Sequence, residues 1–191
     1  MSADLRAHVP ANADAVLWVP ELGKFTTQLM SFARGIQEAA IFRDALKPET
    51  GVDLGEIDGL RRAGINPEAG LALVWRDGLI YVLVGVEDEE TLSTALRAKF
   101  ENLGYSVQSP ASQTVSGLYL VIRSDGEEHA AYQSKTGVMV LAYRVTGESP
   151  STALQPLLTE ARAGFFESTR YSELKKRLGD DGLMFYLDGE A

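Results

Sequence analysis

Two histidines are the scarcest chemically useful residues of the chain. His129 follows Asp125, Glu127 and Glu128 beside a predicted hairpin turn. A carboxylate–imidazole group of this kind can hold a divalent ion or exchange a proton. Spacing limits it: neighbours on a strand point to opposite faces, so Glu128 and His129 diverge, while Glu127 and His129 can share one. A solvated turn accounts for the same residues, with a hydrolase or metal enzyme using His129 as the alternative. His8 lies in a polar lead-in. Of the serines Ser109, Ser112, Ser116, Ser124 and Ser134, none sits in a Gly-x-Ser-x-Gly elbow. Gly51, Gly55, Gly59 and Gly64 follow no strand and lead to no Gly-Lys-Ser/Thr, so turns and caps explain them better than a phosphate loop. Asp53, Glu56 and Asp58 lack the closing glutamate of a calcium loop. No catalytic, cofactor-binding or metal-binding residue is assigned, and no cofactor is expected.

Apolar residues offer a different kind of site. Trp18 and Trp75 fall on predicted strands, Phe32 and Phe42 on predicted helices. These four are candidates for lining a ligand cleft, with core packing as the competing role. Leu29, Met30, Phe32, Ile36, Ile41 and Phe42 are rich for one buried stripe. That richness favours, as an alternative function, a carrier of a small molecule or lipid in a cleft between the sheet and helices 22–46. Tyr119, Tyr132 and Tyr143 lie on neighbouring strands, either as an exposed aromatic face or as packing beneath a helix.

Composition narrows the partners. The net charge of −9 over 191 residues disfavours nucleic acid, whose phosphates demand a basic surface. The basic clusters Arg61-Arg62 and Lys175-Lys176-Arg177 each read as the solvated face of a helix. The absence of cysteine excludes disulfides and thiolate chemistry. No apolar run reaches the length of a membrane span, so direct membrane insertion is not expected. Met1–Arg6 lacks the apolar stretch of an export signal. Localisation is therefore periplasmic or cell-surface if a signal segment has been removed, and otherwise cytoplasmic.

The elements that must position these residues follow from periodicity. A strand over 15–19 ends at Pro20. Apolar spacing of three and four predicts helices over 22–37 and 38–46, then a short helix closed near Gly64. Asp77-Gly78 joins strands 71–75 and 79–86 as a hairpin. The acids at 87–90 open a helix over 89–103, where the helix dipole favours them. Strands are predicted over 105–109, 115–123, 128–134 and 138–145, helices over 151–163 and 169–178, and a final strand over 183–188. Locally paired strands with clustered helices make an α+β fold: a mainly antiparallel sheet with helices clustered on one face, read as a single domain over 1–191. The first and last strands echo each other, each a turn running into a short apolar strand. Either the last closes the sheet beside the first, or a second unit begins there.

The arrangement resembles a family of bacterial exported, lipoprotein-like envelope proteins of unknown function, built as two α+β halves. The resemblance is carried by Val9–Leu17, by Thr50–Leu54 continuing through Gly70–Leu73 and Val82–Asp88, and by Phe166–Tyr171 with Leu174, Leu178 and Leu183–Asp188. It implies that this chain corresponds to the first half and brings no catalytic residues. The leading expectation is a non-catalytic binding or scaffolding domain of the cell envelope. Its partner would be another protein or the remainder of the same polypeptide, with a homodimer as a further option.

Overall fold

Val138-Met139-Val140-Leu141-Ala142 offers no polar residue to alternate with its apolar ones. A strand of this kind is stable only where both of its faces are covered. The computed structural model, which describes residues 5–33, 56–109, 117–159, 164–178 and 183–188, places that strand mid-sheet with all five residues buried.

The strands are β1 (Ala15–Val19), β2 (Leu71–Arg76), β3 (Leu79–Gly85), β4 (Ser106–Gln108), β5 (Leu118–Ile122), β6 (Glu128–Lys135), β7 (Val138–Arg144) and β8 (Met184–Leu187). They form one eight-stranded sheet in the order β4-β5-β6-β7-β3-β2-β1-β8, with every pairing antiparallel. The helices are α1 (Leu22–Ala33), α2 (Ile57–Arg62), α3 (Glu89–Asn102), α4 (Pro150–Thr159) and α5 (Thr169–Leu178). Two 3-10 turns, Leu5–His8 and Phe165–Glu167, complete the described elements. The fold is α+β. The echoing strands do meet: β8 lies beside β1, with Leu17 opposite Phe185 and Val16 opposite Tyr186.

The expected clustering of helices on one face is corrected. One core joins Val16, Trp18, Val74, Tyr81, Val140 and Ala142 to Leu154 and Leu157 of α4, Tyr171 of α5 and the two 3-10 turns. The other joins Val84, Met139, Leu141 and Tyr132 to Leu92 and Phe100 of α3 and Leu60 of α2. Val140 and Leu141 are adjacent on one strand and so face opposite ways. Helices therefore cover both sides, as the unbroken apolar run of β7 requires. The expected helix over 38–46, with Ile41 and Phe42, lies outside the described residues, as do the ends of those over 22–37 and 151–163.

Turn chemistry sets the registers. Asp77 and Gly78 take φ of 52° and 77°, the left-handed pair that a two-residue hairpin needs to match strand twist. Asp88 caps α3 by accepting from the backbone N–H of Thr91 at 3.0 Å and from its hydroxyl at 2.7 Å. Those bonds, the backbone one foremost, hold its carboxyl below the usual range. Gly85, the last residue of β3, runs so close to Ala69 that a Cβ there would lie 2.1 Å from the alanine methyl. Gly85→Ala should therefore cost about 1–3 kcal/mol by overpacking, read from the urea midpoint. Adding Ala69→Gly to the same chain should recover part of that loss.

Candidate functional site

The carboxylates and imidazole of the β5–β6 turn are adjacent in sequence but are drawn to three separate places. Glu127 accepts from Arg144 at 2.6 Å. Glu128 reaches the start of α4, where one oxygen accepts from the hydroxyls of Ser149 and Ser151, each at 2.9 Å, and the other accepts from the Ser151 backbone N–H. An anion at that position meets the free N–H groups and positive end of the helix. His129 stacks flat on Tyr105, with centroids 4.8 Å apart and 2° between planes, and meets Tyr143 edge-on. Burial first, then the neighbouring Arg123 and Arg144, hold its pKa below the ordinary value. The other histidine, His8, places Nδ1 3.0 Å from the carbonyl oxygen of Leu157, tying the first 3-10 turn to α4. Among the described residues, no group of three or more His, Asp or Glu could hold a metal ion.

The tyrosines resolve in favour of packing. Tyr119 stacks on Tyr132 at 4.9 Å, and Phe100 of α3 lies 6.3 Å from Tyr132 and 6.1 Å from Tyr143. Burial pushes the Tyr132 hydroxyl up to about 12, and it donates to the Ser93 carbonyl at 3.4 Å.

The two tryptophans do not share a cleft. Trp18 pairs with Ala72 and Trp75 with Ala15, which sets their side chains on opposite faces of the sheet. Trp18 is buried, edge-on to Phe166 at 5.0 Å, with the Arg6 guanidinium 5.7 Å from its ring. Its Nε1–H is buried without an acceptor. Trp75 is half-buried on the other face. Phe32 belongs to α1, but its side chain lies outside the described residues, together with those of Leu29 and Met30 and all of Ile36, Ile41 and Phe42.

Around Trp75 lies the surface that the sequence reading missed. On the face carrying α3, that helix covers β5, β6 and β7, while α1 and α2 reach Val19, Leu71 and Val84; among the described residues, the rest of this face over β1, β2, β3 and β8 belongs to neither core. There Leu17, Leu73, Trp75 and Ile80 are only partly buried, while Phe185 and Leu187 are 60% and 65% exposed. Register makes these residues contiguous. Phe185 lies opposite Leu17, which lies opposite Leu73; Leu187 lies opposite Ala15, which lies opposite Trp75, then Ile80. None of the six belongs to either buried core. The available signal was Met184-Phe185-Tyr186-Leu187, apolar at every position, although β8 is an edge strand with only its Met184 and Tyr186 side packed on a core.

No family model matches the chain, and no curated protein matches it by sequence. Solved structures of TP0453 are similar in fold. Its crystal form IV aligns with a TM-score of 0.52 at 11% identity, covering 97% of this chain and 64% of that one. Crystal form I aligns with a TM-score of 0.48 at 12% identity, covering 95% and 60%. The chain thus spans less than two thirds of the length of the structures it matches.

Two outcomes follow from this geometry. Glu128→Ala should remove about 1–2 kcal/mol of stability through the lost helix cap, measured by urea unfolding. His129 binds its proton less readily when folded than when unfolded, so acid favours the unfolded chain. Stability should be full above about pH 6.5, the unfolded histidine value, and fall as the pH drops from there toward the lower folded pKa. His129→Phe should show a smaller fall between pH 7.5 and 5 in paired urea titrations.

Proposed function

We propose that this chain is a non-catalytic binding or scaffolding domain of the bacterial cell envelope, engaging a protein partner through the open end of its sheet. The observation that carries this reading is the contiguous apolar surface of Phe185, Leu17, Leu73, Trp75, Ile80 and Leu187. Connected apolar surface of this kind serves association more often than it serves nothing, and an adjoining strand edge adds backbone donors and acceptors to it. The partnered states of Glu127, Glu128, His129 and His8 support a structural use of these groups. The envelope assignment is supported by the resemblance of the turn-and-core segments described above.

A second reading draws on the same surface. The open face adjoins the core where Leu22 and Phe25 of α1 pack near Val19 and Leu71. An apolar wall there suits a carrier of a small molecule or lipid between the sheet and α1, the described part of the helical region expected over 22–46. Solvent extraction of the purified protein followed by mass spectrometry separates the two: stoichiometric lipid selects the carrier.

The binding reading is tested with anilinonaphthalene sulfonate, whose emission rises on apolar surface. The wild-type chain should enhance it. Phe185→Lys combined with Leu187→Lys should cut the enhancement about twofold or more, with the melting temperature unchanged because both positions are exposed. Equal emission from both proteins would overturn it. Turnover of any substrate that a single point variant abolishes without unfolding the chain would overturn the non-catalytic assignment.

A further inference from the structure

The two ends of the sheet are built differently. At one end β4 is three residues long, and its Ser106 and Gln108 are exposed. Short, polar edges resist pairing with other chains. At the other end β8 carries no Lys, no Pro and no bulge. Leu183, at its start, together with Phe185 and Leu187 on one face, is 59%, 60% and 65% exposed respectively. β1 pairs with one side of β8, and among the described residues no strand pairs with the other. We propose that a second copy of this chain pairs its β8 antiparallel to this β8, in the register centred on Phe185, joining two sheets across a two-fold axis. The proposal rests on the reading of the open sheet end as a binding surface, and it names the partner at the β8 edge of that surface.

Symmetry selects the register. A two-fold axis perpendicular to the sheet brings like faces together, so only residues of matching side can lie opposite each other. Centring on Phe185 sets it against the partner's Phe185, Leu183 against the partner's Leu187, and Met184 against the partner's Tyr186. Every pair is apolar, and aromatic and aliphatic cross-strand pairs are the stabilising ones. Centring on Tyr186 would instead set Met184 against the partner's Asp188.

Area sets the strength. At these exposures the three side chains present about 350 Å² per copy, of which edge-to-edge pairing covers only the flanks turned toward the partner. Even with the strand backbone the contact stays below the ~1,000 Å² floor for a stable interface, the range of weak, transient association. The dimer should therefore be reversible and form at micromolar concentration. Charge works against it at the flanks: the two Asp188 residues stand six strand steps apart, about 20 Å, but Asp180, Asp181 and Glu190 border the strand in sequence in both copies, so added salt should strengthen the pairing.

The chain contains no cysteine, so Phe185→Cys introduces the sole thiol. Opposed residues in an antiparallel pair have Cα atoms about 4.5–5.5 Å apart, within disulfide reach. Under mild oxidation, Phe185→Cys should form a covalent dimer about tenfold faster than Ser106→Cys on the opposite edge. The wild-type mass by light scattering should double as concentration rises through the micromolar range. Phe185→Lys should remain monomeric, with the melting temperature of the wild-type chain at dilutions where that chain is itself monomeric. Mixed Leu183→Cys and Leu187→Cys chains should cross-link to each other faster than either does to itself. A wild-type chain monomeric into the high micromolar range, or equal cross-linking from the two edges, overturns the second copy as occupant. Dye enhancement that Phe185→Lys with Leu187→Lys abolishes would, in that case, leave the binding surface standing for another partner.

Discussion

Burial of β7 on both faces is the constraint on which the rest of the architecture depends. Five consecutive apolar residues, Val138–Ala142, must be sheltered on two sides at once. That places β7 inside the sheet between β6 and β3 and calls for α3 on one face and α4 on the other. The α3 cover is pinned at both ends, by Asp88 at its start and by Phe100 against the stacked tyrosines near its end. The α4 cover is pinned by Glu128, which belongs to β6, the neighbour of β7 in the sheet. The polar residues that most invite a chemical reading thus hold the two covers in place over one strand.

The strands were legible because their signals are local. Asp77-Gly78 and the apolar runs around it fix a hairpin within a few residues, and the observed strands start and stop within a few residues of those read from periodicity. The side on which each helix lands is non-local and was misread. The clue was present: Val138–Ala142 lacks the alternation of a strand with one wet face. The pairing of β1 with β8 was visible only as an echo, one of two open alternatives, because nothing within a short window links Leu17 to Phe185.

The site was less legible than the fold. Trp18 and Trp75 are the same residue type on strands that pair directly, and one position of register sends one into the core and the other to the open face. The residues that form the open surface come from β1, β2, β3 and β8, each contributing one or two unremarkable aliphatic or aromatic side chains. No motif spans them; the sheet order alone assembles them. The histidine and its acidic neighbours failed as a cluster for the complementary reason, since adjacency in sequence placed them on three different partners.

The β1–β8 pairing also orders events in time. β2 and β3 can close as a hairpin as soon as they exist, whereas β1 gains its outer neighbour only after every other described strand has been made. Closing a loop of nearly the whole chain carries an entropic cost that local hairpins escape. Until it closes, β1 presents Val16 and Trp18, later buried, along an unpaired edge. Until then the chain is prone to associate wrongly along β1, and β8 acts as the late seal of that edge.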